Sequence, residues 1–145
     1  MACDSSPQTI NTIQLPVELT ICYQDTVLDI SWKLDEVIAE YNDKLATFKL
    51  KNQKPCAYTI EFEARRLETN YFGRTNRYSP TASLITLNSF TPSIWRKHTT
   101  CHEIGHALML DHSNRQTCMN PESEYEQLDG MDLRDIETRL AYLIG

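Results

Sequence analysis

His102, Glu103, His106 and His112 fall within eleven consecutive residues, HEIGHALMLDH. The chain has only four histidines, so this segment gathers most of its imidazole. On a helix, residues four apart lie about 40° apart around the axis and ~6 Å along it, so His102 and His106 can reach one ion. Glu103 lies a further ~100° around, too far to be a third helical ligand but able to reach a water beside that ion. Zinc suits imidazole ligands better than magnesium or calcium does. Histidine ligands, an acidified water and a glutamate to take its proton are the parts of metal-assisted hydrolysis.

A catalytic zinc needs a third protein ligand. His112 is six residues beyond His106, and an unbroken helix would aim it ~240° away from its partners. The helix must therefore end between them, with a residue in the left-handed conformation that terminates helices. Glycine takes that conformation freely, but the position three residues after His106 is Met109. The cost for a bulky residue is about 1–3 kcal/mol, and a zinc site contributing roughly 10 kcal/mol can carry it. The fourth histidine, His98, reads as a packed ring, because one more helical turn takes it ~6 Å from the ion.

Other elements must position this cluster. Val17–Tyr23 alternates apolar and polar residues as a strand does. Val27, Ile30, Leu34, Val37, Ile38 and Tyr41 recur at helical spacing, predicting an amphipathic helix of about four turns. Thr47–Leu50 and Cys56–Ala64 read as strands separated by the turn-forming Lys51–Pro55, residues 65–82 as a long loop, and Ser83–Leu87 as a short strand. Thr91 and Pro92 form a helix-start signal, with Thr91 as N-cap. The helix Ile94–Leu108 has apolar residues on several faces, which marks it as buried. A last helix, 130–143, begins with a capping arrangement of Asp129 and Asp132 and turns Met131, Ile136, Leu140 and Leu143 inward.

Composition bounds the rest. With 145 residues and 41% hydrophobic content, the chain is the size of one domain with its own core: a flexible segment 1–14, then a single domain 15–145. No stretch approaches the ~18 apolar residues of a membrane span, and no secretory leader pattern opens the chain. A net charge of −6 disfavours nucleic acid. Residues 64–101 nevertheless carry six cations (Arg65, Arg66, Arg74, Arg77, Arg96, Lys97) against Glu68 alone. This patterning fits a solvated surface, or a basic rim beside a cleft that favours anionic substrate side chains. Five cysteines leave at least one unpaired and match no zinc ribbon. With Cys3 set aside, Cys22, Cys56, Cys101 and Cys118 are either buried thiols or two bridges in one of three connectivities.

The cluster resembles the long motif of the metzincin metallopeptidases, His-Glu-x-x-His-x-x-Gly-x-x-His followed by a methionine-containing turn. His102, Glu103, His106 and His112 match it, Met109 replaces the glycine, and Thr117-Cys118-Met119-Asn120-Pro121 resembles the Met-turn. The resemblance, closest to a minimal matrixin-like catalytic domain, implies an α+β fold. Its elements would be a twisted, mainly parallel mixed sheet of four or five strands, a backing helix, a buried active-site helix and a C-terminal helix. It implies a zinc endopeptidase with His102, His106 and His112 on one zinc, Glu103 as general base and Met119 as an apolar support beneath the ligands. Ser83, Leu84 and Ile85 would be the edge that pairs with an extended peptide, and Tyr125 would wall the main side-chain pocket. Residues 64–101 contain no Asp and only His98, so no calcium site is expected. The implied protein is a monomer, secreted or at the cell surface, and Cys3 or Asp4 could reach back to the metal as an inhibitory segment. The same residues admit two other readings. One is an inactive or weakly active zinc- or peptide-binding module of this fold. The other is a single-domain zinc endoribonuclease, a class that typically lacks a glutamate after the first histidine.

Overall fold

Four segments of this chain place β-branched and aromatic side chains where they can be buried on a pleated surface, and with a fifth, polar segment they hydrogen-bond into one sheet. The computed structural model describes residues 19–24, 28–53, 56 and 58–144. Its strands are β1 (Leu19–Gln24), β2 (Phe48–Asn52), β3 (Tyr58–Arg65), β4 (Gly73–Ser79) and β5 (Ala82–Asn88), in the spatial order β2-β1-β3-β5-β4. The first three pairings are parallel and β4 runs antiparallel to β5. The helices are α1 (Leu34–Lys44), α2 (Ser93–Ala107) and α3 (Gly130–Ile144). This is the expected α+β architecture with a mostly parallel sheet.

The core joins the sheet to the helices. Ile21, Phe48, Tyr58, Ile60, Ile85 and Leu87 are fully buried, as are Val37 on α1, Ile104 and Ala107 on α2, and Ile136 and Leu140 on α3. The Tyr41 hydroxyl donates to the Cys101 carbonyl at 2.7 Å, tying α1 to the turn of α2 that carries His102. Asp129 and Asp132 cap α3 reciprocally: the Asp132 amide donates to Asp129 Oδ1 at 2.9 Å and the Asp129 amide to Asp132 Oδ2 at 3.4 Å. Among the described residues no helix is long and apolar enough to cross a membrane.

Several expectations need correction. The first helix is shorter than four turns: Ile30–Trp32 form a 3-10 turn and Lys33 breaks the path with φ 58° before α1 begins. The reason is local capping. The Ser31 amide donates to Asp29 Oδ1 at 2.8 Å, Trp32 turns inward, and Ile30 is left 89% exposed. Thr91 is not the N-cap of α2; Pro92 takes that position, and the Thr91 hydroxyl donates instead to the Phe72 carbonyl at 3.1 Å. The region expected as a loop contains β4, whose polar sequence GRTNRYS hides a strand because it has no apolar alternation. Met131 is exposed, not inward. Residues 1–14, Val17 and Val27 lie outside the described residues.

Lys33 is exposed, so its left-handed backbone is not compensated by side-chain burial. The conformation costs about 1–2 kcal/mol for an L-residue, and glycine's extra chain entropy gives back about 0.5–1 kcal/mol. Lys33→Gly should therefore raise the urea midpoint, by about 0.5–1 kcal/mol of stability; a lowered midpoint would show that Lys33 is not the strained residue.

Candidate metal centre

Helical spacing brings the first two candidate ligands together, and a specific chain reversal supplies the third. α2 ends at Ala107, Leu108 caps it, and Met109 sits at φ 81°. The Leu110 amide donates to the Gly105 carbonyl at 2.9 Å and the Met109 amide to the His106 carbonyl at 3.0 Å. This is the Schellman arrangement, with methionine where glycine is usual. The reversal returns His112 to its partners: one ring nitrogen from each of His102, His106 and His112 lies within 4.8 Å of the others.

Hydrogen bonds settle which nitrogens converge. His102 Nδ1 lies 2.7 Å from the Cys118 carbonyl and His106 Nδ1 2.8 Å from the Leu110 carbonyl. A carbonyl only accepts, so both Nδ1 atoms carry the proton and both Nε2 atoms present lone pairs. Those Nε2 atoms are 3.1 Å apart, and His112 Nε2 is 3.2 Å from that of His102. The lone pairs that His102 and His106 turn toward each other at 3.1 Å repel unless a cation lies between them. Ligands on one tetrahedral ion with bonds of ~2.0–2.1 Å stand roughly 3.3 Å apart, so the donor set fits zinc.

The surroundings hold this geometry. Cys101 and Cys118 form a disulfide that ties α2 to the turn whose carbonyl orients His102, and the second bridge joins Cys22 to Cys56, so one of the three possible connectivities is realised. Met119 is fully buried, and its Sδ lies 2.3 Å from where a Cβ on Gly105 would stand. Only glycine at 105 admits it. His102 is buried, His106 half-buried and His112 exposed, so the site opens on one side into a cleft of about 820 Å³.

Glu103 is 5% exposed, and the Thr75 hydroxyl lies 2.8 Å from its Oε1. Burial pushes its carboxyl up to about 7, with the Thr75 hydrogen bond opposing the shift. Burial likewise holds His102 down to about 3 and lowers His106 and His98. His98 is not part of the convergent group: it stacks on His102 with ring centroids 5.7 Å apart, and its Nδ1 lies 2.6 Å from the Tyr125 carbonyl.

The substrate-side residues need correction. β5 is hydrogen-bonded to β3 on one side and β4 on the other, and Ser83 and Ile85 are fully buried, so Ser83, Leu84 and Ile85 offer no free edge to a peptide. The cleft edge is β4, with Gly73, Thr75 and Arg77 among the lining residues. Tyr125 is 43% exposed and outside that lining; Pro121 is the residue of its segment that takes part. Sequence reasoning also missed Thr75 and the two orienting carbonyls, since nothing in residue type marks a carbonyl as an acceptor.

No protein-family model matches the sequence, and no curated protein matches it. Among solved structures the chain is similar to high choriolytic enzyme 1, a hatching-enzyme zinc-protease from the medaka fish Oryzias latipes, with 14% identity and a TM-score of 0.45. The match covers 64% of this chain and 44% of that one.

Two outcomes follow from the geometry. The strain at Met109 matters most when His112 is held with its partners, so Met109→Gly should bind zinc at least as tightly as the parent. The β-branched Met109→Val should bind it more weakly. Chelator competition ranking Val above Gly would contradict the left-handed assignment. The second outcome concerns the metal-free protein, where His98, His102 and His106 take protons below the ordinary 6.5 and Glu103 takes one above the ordinary 4.5. As pH falls below 6.5 the unfolded chain binds protons that the folded histidines refuse, and stability is lost. Glu103 acts oppositely: its contribution is complete below 4.5 and lost as pH rises through about 7. The carboxyl opposes the histidines, so between about pH 7 and about pH 5 the urea midpoint of Glu103→Gln should fall more steeply than that of the parent. An equal or shallower fall in that variant would refute the buried neutral carboxyl.

Proposed function

We propose that this chain is a zinc-dependent endopeptidase of the metzincin type, with His102, His106 and His112 holding one zinc and Glu103 as general base. One observation carries the reading: two imidazoles with both Nδ1 protons committed to carbonyls turn their Nε2 lone pairs toward each other at 3.1 Å, with a glutamate on the next residue after His102. Zinc bound there would supply Lewis acidity, which acidifies water and polarises a carbonyl.

The protein's own groups do the rest. Glu103 takes a proton from the attacking water and returns it to the leaving amine, so no covalent enzyme intermediate is needed. Its buried carboxyl is poised near neutrality in the metal-free chain, and a cation beside it favours the ionised, basic form. Thr75 holds the carboxyl in place from the edge strand. β4 is paired on one side only among the described residues, leaving a row of backbone donors and acceptors along the cleft for an extended peptide to join by strand addition. Thr117–Pro121 acts as the Met-turn, with Met119 packed under the helix that carries the ligands. The two disulfides support a secreted or cell-surface setting, where such bonds persist.

Elemental analysis of the purified protein should find one zinc per chain, reduced in His112→Ala. Glu103→Ala should keep the metal and lose ~100-fold or more of its activity on a denatured proteome. Full activity in that variant would overturn the mechanism, and a protein without zinc would overturn the site.

A further inference from the structure

The two ends of the cleft differ in chemistry. Gly73, Thr75 and Arg77 share one face of β4, since alternate strand residues do, and they run along α2 in order. A Cβ on Gly73 would meet Thr99 and Glu103, Thr75 bonds Glu103, and Arg77 Nη2 reaches toward the Ala107 carbonyl at 3.5 Å. At the start of α2 the lining is aromatic: Phe72 and Trp95 have ring centroids 5.8 Å apart, and Trp95 meets His98 edge-on at 5.4 Å. At its end, one residue past His106, the lining is Arg77, Met109, Leu110 and Asp111.

Arg77 has a fixed position and, among the described residues, no counter-ion. Its Nη1 donates to the Tyr58 hydroxyl at 2.6 Å, and Tyr58 is itself fully buried, with its hydroxyl donating to the Ala107 carbonyl. With the Nη2 contact to the Ala107 carbonyl, Arg77 uses two of its five guanidinium N–H groups. The acids lining the cleft are otherwise engaged: Glu103 is bonded to Thr75, and Asp111 turns to Arg139, 3.6 Å away. Among the described residues no ion pair includes Arg77. An exposed guanidinium held by a phenol and a helix-end carbonyl, with donors to spare and no carboxylate, is preorganised for an anion arriving from the cleft.

We propose that Arg77 is a specificity-determining residue that binds a carboxylate of the peptide lying along β4, so that the preferred substrates carry an acidic group on the Arg77 side of the scissile bond. This rests on the peptide-binding part of the function proposed above, but not on hydrolysis. Arg77 is the charge; Tyr58 is its support.

The test measures binding by zinc-loaded Glu103→Gln protein, which retains the cleft without cutting. Fluorescent peptides of fixed frame carry a single Glu or Gln scanned through each position, with the C-terminus free or amidated. One position should favour Glu over Gln by roughly three- to tenfold, consistent with one charge-assisted hydrogen bond. The ratio should fall to about 1 when Arg77→Gln is added, and because each ratio is internal to one protein, a general loss of folded material does not move it. Arg77→Lys keeps the charge and should keep a measurable preference. Tighter binding of free-acid than of amidated peptides whichever residue is scanned, lost with Arg77→Gln, identifies the terminal carboxylate as the anion. Flat scans with no gain from a free C-terminus, a preference untouched by Arg77→Gln, or a flat scan in Arg77→Lys beside a parent selective for Glu would each overturn the assignment. The unsubstituted protein, incubated with the same peptides, reports hydrolysis separately: selective binding without cleavage leaves Arg77 in place and removes the peptidase reading.

Discussion

Repulsion between lone pairs is the constraint on which this structure turns. Nε2 atoms at 3.1 and 3.2 Å from one another are held there by the fold, and each neighbouring element supplies part of the restraint. The Met109 reversal does two things at once. It swings His112 back toward α2, and it presents the Leu110 carbonyl to His106 Nδ1, so the residue that ends the helix also sets the tautomer of the second ligand. A bulky residue at φ 81° is tolerable because that single turn serves both ligands.

The first ligand is restrained from the other side. His102 is oriented by the Cys118 carbonyl, and the Cys101–Cys118 bridge keeps that carbonyl in place from the residue immediately before His102. Gly105 then lets Met119 approach the helix face more closely than any side chain would permit. Tyr41 reaches across from α1 to the Cys101 carbonyl. Two of the three convergent imidazoles are thus anchored through backbone carbonyls, which are strong acceptors in any residue and need no particular side chain.

The sheet decides what the site can meet. With β5 enclosed between β3 and β4, the chain offers its antiparallel edge strand to the cleft, and that strand carries the Thr75 hydroxyl to Glu103 and the Arg77 guanidinium to the end of α2. A polar edge strand with one face on a cleft and the other toward solvent needs no hydrophobic alternation, which is why β4 reads as loop in the sequence. Ser83–Ile85 were the edge that the family resemblance implied, and they lie in the interior: a short apolar run says that a strand is buried, not which neighbours flank it.

The sequence by itself marked the residues of the candidate centre and the path the chain must take for them to converge. His102 and His106 are bound to one helix face by 3.6-residue periodicity, and His112 could join them only through a helix stop, which pointed to Met109 before any coordinates did. The α+β order of elements and the buried nature of α2 were legible in the same way, because local periodicity reports local burial. The tertiary structure alone decided the disulfide pairing, the place of β4 at the open edge, the carbonyls that orient His102 and His106, and the bonds that hold Arg77 at the end of α2. Each of these depends on which segments distant in sequence become neighbours, as with residues 118 and 102 or 77 and 107. No pattern along a single chain encodes those distances until the sheet has closed.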